Sequence, residues 1–275
     1  MSDTAESPSP GTSPAELDPT ALAPEDAAAV QRWLLTLADT KRILGLRYSD
    51  WLLGAPSLEA SIAASAMSQD EWGHARLLYA ALKDLGRDPV EVEHARPADA
   101  YTSVDCLDGP LEDWAEVVAA TAVVDGALSV ALDAARRGAY TSVAGRAAKM
   151  LAEEEFHGAF AQAWVRKLAE GSAEARERLR RAVERMWPSA LHTMAPEDAA
   201  HRRVVALGIT DSAALLRRAI VERVGPLVKR AGGEPSAEPD PHADWDADRG
   251  RGPGHPDDEV VERARGDRNR ALFVE

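Results

Sequence analysis

The chain has 275 residues, 45% apolar but only 5% aromatic, with alanine and leucine abundant; this suits one helical core and gives little support for a sheet. Its single cysteine, Cys106, excludes both an internal disulfide framework and a thiolate metal site. The formal charge of −14 is concentrated at the ends: residues 1–24 carry four acids and no Lys or Arg, and residues 233–275 carry twelve acids against six arginines, which leaves −4 between them. Acidity placed in this way favours solubility and argues against a nucleic-acid partner.

Residues 1–24, rich in Ser, Pro, Ala and acids without periodicity, are expected to form a disordered tail. A helical domain is expected over 25–232. Its first helix starts near Pro24, with Glu25 and Asp26 in the opening turn, and ends before Gly54-Ala55-Pro56. Ser57 is the expected N-cap of a second helix that stops at Gly86. Residues 87–109 show no period and read as a long crossover. Pro110 is expected to open a third helix running to about Arg137, and a fourth spans about Ser142 to Glu170. Shorter helices are expected near 173–187, 196–206 and 211–230, followed by an extended acidic tail over 233–275 with at most a short helix near 257–266. Two long helical pairs joined by a crossover have the connectivity of a ferritin-like four-helix bundle, so the expected class is all-α. No run of about 18 uncharged apolar residues occurs, and the N-terminus lacks a basic and then apolar leader. The expectation is a cytoplasmic protein without a membrane partner.

The second and fourth helices each carry Glu-x-x-His: Glu71 with His74, and Glu154 with His157. Residues i and i+3 share a helix face, so one metal can take both side chains, and a carboxylate–imidazole set suits iron or manganese. On the third helix Asp125 interrupts the apolar run Ala122–Leu128, 29 residues before Glu154. A buried carboxylate there calls for a partner or a metal. The equivalent positions before Glu71 are occupied by Lys41 and Arg42. A charged lysine cannot be a ligand. Three arrangements stay open: two metals on five protein ligands, one metal beside Lys41, or no metal with Lys41 paired to Glu71 or Glu154. Asp39 lies on another face and does not fill the missing position. Glu153 and Glu155 read as exposed flanks, Trp51, Trp72 and Trp164 as bundle packing, and His94, His192, His201, His242 and His255 as surface residues without a spaced cluster.

The segments Ala55-Pro56-Ser57-Leu58, Gln69-Asp70-Glu71-Trp72-Gly73-His74, Val124-Asp125-Gly126-Ala127 and Glu153-Glu154-Glu155-Phe156-His157 resemble the ferritin-like subunits of the bacterial phenylacetyl-CoA oxygenase, a ring 1,2-epoxidase. The resemblance extends over most of residues 30–250, including Pro239-Asp240-Pro241, Trp245 and Arg249-Gly250. It implies a hetero-oligomer of a catalytic di-iron subunit and a related, degenerate structural subunit. It also implies a separate reductase and an aromatic acyl-CoA substrate whose ring receives one oxygen atom. Carried over by position, the implied metal ligands are Glu71, His74, Asp125, Glu154 and His157, with Lys41 standing where the family has a glutamate. That departure leaves three roles open for the chain: an oxygenase subunit, a scaffold subunit with a lysine-blocked site, and a ferritin-like oxidase with another substrate. Pattern alone singles out no arginine for the CoA phosphates; Arg42, Arg47 and Arg76 are merely near the motif helices.

Overall fold

The computed structural model describes residues 16–238, 244–267 and 272. Two antiparallel helical pairs form the bundle. Helix α1 (Pro24–Ser49) has Pro24 at its first position and Glu25 and Asp26 in its first turn, and it packs along α2 (Leu58–Ala81), whose N-cap Ser57 accepts from the Ala60 N–H. Gly45 permits their close approach. A Cβ there would lie 2.7 Å from the Trp72 ring and 3.1 Å from Glu71 Cβ.

The crossover contains a short helix, Pro89–His94, capped by Asp88. Helix α3 occupies Trp114–Arg136 behind its Asp113 cap, so that it starts four residues beyond Pro110. Within α3, Ala120–Asp125 form a π-turn that ends at Asp125. Such turns shift the phase of a helix face and recur at functional sites. This helix is long and apolar enough to cross a membrane, but 89% of its apolar window is buried among the neighbouring helices, so core packing accounts for its composition. Helix α4 (Thr141–Ala169) pairs with α3 and also touches α2. The result is the all-α, ferritin-like arrangement expected from the connectivity.

Helices α5 (Ala173–Met194), α6 (Ala199–Ala206) and α7 (Ala213–Arg230) cover the outside: α5 and α7 lie on α3, and α6 lies on α1. Helix α8 (Asp258–Arg265) returns to α1. Residues 244–267 fold back over the crossover. Arg251 is fully buried and donates to the Tyr101 carbonyl and to Asp108 at 2.5 Å. Arg249 reaches the carbonyls of Asp99 and Tyr101, and Arg265 reaches the Tyr101 hydroxyl. At the other end, Leu17 N–H donates to the Ala139 carbonyl, which ties residues 16–23 to the bundle. The remainder of the expected N-terminal tail, residues 1–15, and Pro239-Asp240-Pro241 lie outside the described residues.

Candidate functional site: a lysine inside a carboxylate cluster

All six residues singled out by spacing are brought together. Lys41, Glu71, His74, Asp125, Glu154 and His157 come from α1, α2, α3 and α4, and each is at most 2% exposed. Lys41 sits at the centre. Its Nζ donates to Glu71 Oε1 at 2.9 Å, to Asp125 Oδ1 at 2.7 Å and to Glu154 Oε1. An ammonium has three protons, and here each has a carboxylate to receive it.

The histidines complete the cluster. His157 Nδ1 donates to Asp125 Oδ2 at 2.8 Å. Its ring stands edge-on to Tyr48, whose hydroxyl donates to the same oxygen at 3.3 Å. Ser129 Oγ donates to Glu154 Oε2 at 3.3 Å. His74 turns Nδ1 inward, 3.2 Å from Glu154 Oε1, and its Nε2 meets Glu153 Oε2 at 2.7 Å.

The outer hydrogen bonds of the histidines form a cross. His74 on α2 meets Glu153, the residue before Glu154, while His157 on α4 approaches Asp70, the residue before Glu71, at 3.4 Å. Glu153 is therefore half-buried and engaged, not an exposed flank, whereas Glu155 is exposed. The signal was present in both motifs, each of which reads acid-Glu-x-x-His. Orienting a histidine through its far nitrogen is a common device around charged centres.

The electrostatics follow from burial and contact. Burial alone would discharge Lys41, but Asp125, Glu154 and Glu71 outweigh it and hold its pKa well above the ordinary value. Burial would likewise lower His157; the Asp125 charge and hydrogen bond overcome this and push it up to about 11. For Asp125, burial opposes ionisation, yet Lys41 and His157 keep its carboxyl well below the usual range. Glu71 is raised, chiefly by burial and by the neighbouring Asp125 charge. Two cations thus stand among three carboxylates, and Glu71 holds its proton more readily than Asp125 does.

Glu71, Asp125, Glu154 and His157 can each offer one donor atom, all within 4.8 Å of one another, and such an oxygen-rich set could hold a metal ion. The inner oxygens of its three carboxylates are, however, already on the Lys41 ammonium. The residues fit a lysine at the centre and do not fit two metal ions while that lysine stays charged and in place. One ligand-type atom, Glu71 Oε2, remains buried and without a hydrogen-bond partner.

A cavity of about 80 Å³ adjoins the cluster, between α3, α4 and α7, lined by Asp125, Glu154, His157, Gln162 and Arg223 among others. None of the arginines near the motif helices reaches it. Arg42 pairs with Glu93, and Arg47 donates to the carbonyls of Leu107 and Asp108, so both tie α1 to the crossover; Arg76 is exposed. Asp39 faces away from the cluster and is bound by Arg96, Tyr79 and Thr102. Trp51, Trp72 and Trp164 are half-buried, and Trp51 and Trp164 both pack against Trp114. Of the remaining histidines, His201 in the first turn of α6 is buried at 4% exposure, not a surface residue, and its backbone N–H donates to Asp198; His242 lies outside the described residues.

The sequence profile of the family described as phenylacetic acid catabolic protein matches residues 16–267, and the chain belongs to that family. It is similar to two different subunits of the 1,2-phenylacetyl-CoA epoxidase of Escherichia coli (strain K12). With the first it is 31% identical over 151 residues, which make up 54% of this chain and 48% of the relative. With the second it is 25% identical over 160 residues, 56% of this chain and 63% of the relative. The matched stretch covers less than two thirds of either relative.

Proposed function

We propose that this chain is a subunit of a multicomponent oxygenase acting on phenylacetyl-CoA or a similar aromatic acyl-CoA, and that it serves as the lysine-locked, structural partner of a homologous subunit that carries the iron. The carrying observation is Lys41 Nζ, fully buried and donating to all three carboxylates of the cluster. In this reading the ammonium replaces metal charge and ties α1, α2, α3 and α4 together. His157 and Tyr48 orient Asp125, while Asp70 and Glu153 hold the two imidazoles from outside. Catalysis in the assembly then belongs to the partner's di-iron centre, supplied with electrons by a separate reductase, in the cytoplasm.

The size of the adjoining cavity supports the same reading. An apolar cavity of about 150 Å³ holds benzene, whereas the space beside this cluster is about 80 Å³ and partly polar. It suits a few water molecules better than a phenyl ring. A second reading, one metal ion held beside Lys41, is favoured by the unpartnered Glu71 Oε2 and by the inward-turned His74 Nδ1.

The test is iron content per chain after anaerobic loading with ferrous iron and desalting, on wild type and Lys41→Glu in parallel. The lysine lock predicts background iron in the wild type and about two irons per chain in Lys41→Glu. One iron in the wild type selects the second reading. Two in the wild type return the chain to the catalytic role, with an altered ligand set.

A further inference from the structure

The added helices leave the outer side of α2 bare. Helices α5 and α7 lie on α3, and α6 and α8 lie on α1, whereas the principal neighbours of α2 are α1, α4 and the short crossover helix Pro89–His94. The covering helices and α2 also show different chemistry to water. On α5 every exposed residue from Glu174 to Arg185 is charged. The outward stripe of α2 instead reads Glu59, Ile62, Ala66, Gln69, Gly73 and Arg76, with charge only at its two ends. Ile62 is 61% exposed. The contacts of Glu153 with His74 and of His157 with Asp70 set α4 beside this stripe, and there Ala152, Phe156 and Ala159 are exposed as well. An uncharged, partly apolar surface shared by two neighbouring helices marks an interaction site.

Gly73 has no use within the chain. A glycine inside a helix costs about 1 kcal/mol relative to alanine. At Gly45 and Gly126 close packing requires it, since an added Cβ would lie 2.7 Å from the Trp72 ring or 2.8 Å from Val224. At Gly73 a Cβ would meet nothing within 4 Å, and the backbone there is ordinary helix. The stripe therefore keeps an empty depression one turn from Arg76. Its spacing of 3, 4, 3, 4 and 3 residues reads the same from either end. An antiparallel copy, laid along it about a two-fold axis level with Met67 and Ser68, sets Ile62 opposite Gly73, Ala66 opposite Gln69 and Glu59 opposite Arg76, each twice. The one large apolar side chain of the stripe meets the depression, and the acid at one end meets the base at the other. A parallel pairing would set Glu59 on Glu59 and Arg76 on Arg76.

We propose that this face docks a second copy of the chain, giving a two-fold dimer in which the α2 helices run antiparallel and Phe156 of α4 flanks the seam. Small residues at the centre of the stripe let the two helices approach closely. Glu71 and His74 lie on the buried side of α2, so the lysine cluster stays inside each protomer. The pairing holds with or without metal, and it does not depend on the role proposed for the cluster.

The test is sedimentation velocity of the full chain over about 1–100 μM, where a dimer with a dissociation constant in the micromolar range or below is expected. Ile62 is a surface residue, so Ile62→Asp should keep the wild-type circular-dichroism spectrum while its association weakens at least about tenfold. Glu59→Arg and Arg76→Glu each set like charges against one another at both ends of the seam and should each weaken association about tenfold. The double variant Glu59→Arg/Arg76→Glu restores opposite charges and should return to the wild-type constant. A wild type that is monomeric at about 100 μM, including one that pairs only with a homologous subunit, would overturn the proposal. So would a dimer indifferent to Ile62→Asp, or a double variant that associates no better than the single ones.

Discussion

Replacing Lys41 by methionine keeps most of the side-chain volume and deletes the charge. The ammonium is fully buried and is the shared partner of Glu71, Asp125 and Glu154, so its loss leaves three carboxylates facing one another with His157 as the remaining inward cation. Removing one partner from a buried ion pair costs about 3–5 kcal/mol. At about 2–4 °C per kcal/mol for a domain of this size, the melting temperature should fall by about 6–20 °C. The sign of the pH dependence follows from the carboxylates. Without the lysine, burial and mutual repulsion raise their folded pKa values above the unfolded ones of about 4. Groups raised in this way lend stability below the unfolded value and lose it as pH rises through the folded one. The deficit of Lys41→Met relative to wild type should therefore be small near pH 4 and full at pH 8. Circular-dichroism melts of both proteins across that range give the answer. An unchanged melting temperature at pH 8, or a deficit of equal size at every pH, would refute the view that Lys41 neutralises this cluster.

Other positions give independent checks. Arg251→Ala removes a fully buried guanidinium from Asp108 and the Tyr101 carbonyl; it should cost about 3–5 kcal/mol in urea unfolding and open residues 244–267 to limited proteolysis. His201 has a depressed pKa, so its contribution is present above its unfolded pKa of about 6.5 and is lost as pH falls through the folded value. The urea midpoint of His201→Gln should accordingly drop less than that of wild type between pH 7.5 and pH 5.5. At Gly138 an added Cβ would lie 2.1 Å from the Ile209 carbonyl oxygen, and Gly138→Ala should destabilise by about 3 kcal/mol, the upper end of the overpacking range. Gly45→Ala presses on the Trp72 ring, a movable side chain, and should cost less, about 1–2 kcal/mol by thermal melt.

Two Glu-x-x-His spacings, an aspartate in an apolar run and a lysine at the matching interval were legible in the chain alone, because residues three apart on a helix must share a face whatever surrounds them. The helical pairs and the crossover were legible for the same reason: caps, prolines and glycines act on their own neighbourhood. Partners chosen across helices depend on packing, and only the tertiary structure could decide them. Spacing left three arrangements open around Lys41; the fold places its Nζ against three carboxylates at once. Glu153 passed for a solvated flank until α2 brought His74 to it. The C-terminal segment read from composition as an extended acidic tail, yet Arg251 is buried against Tyr101 and Asp108, about 150 positions earlier in the chain. Composition records how many charges a segment carries. Whether each faces water or a distant counter-charge is settled by the fold.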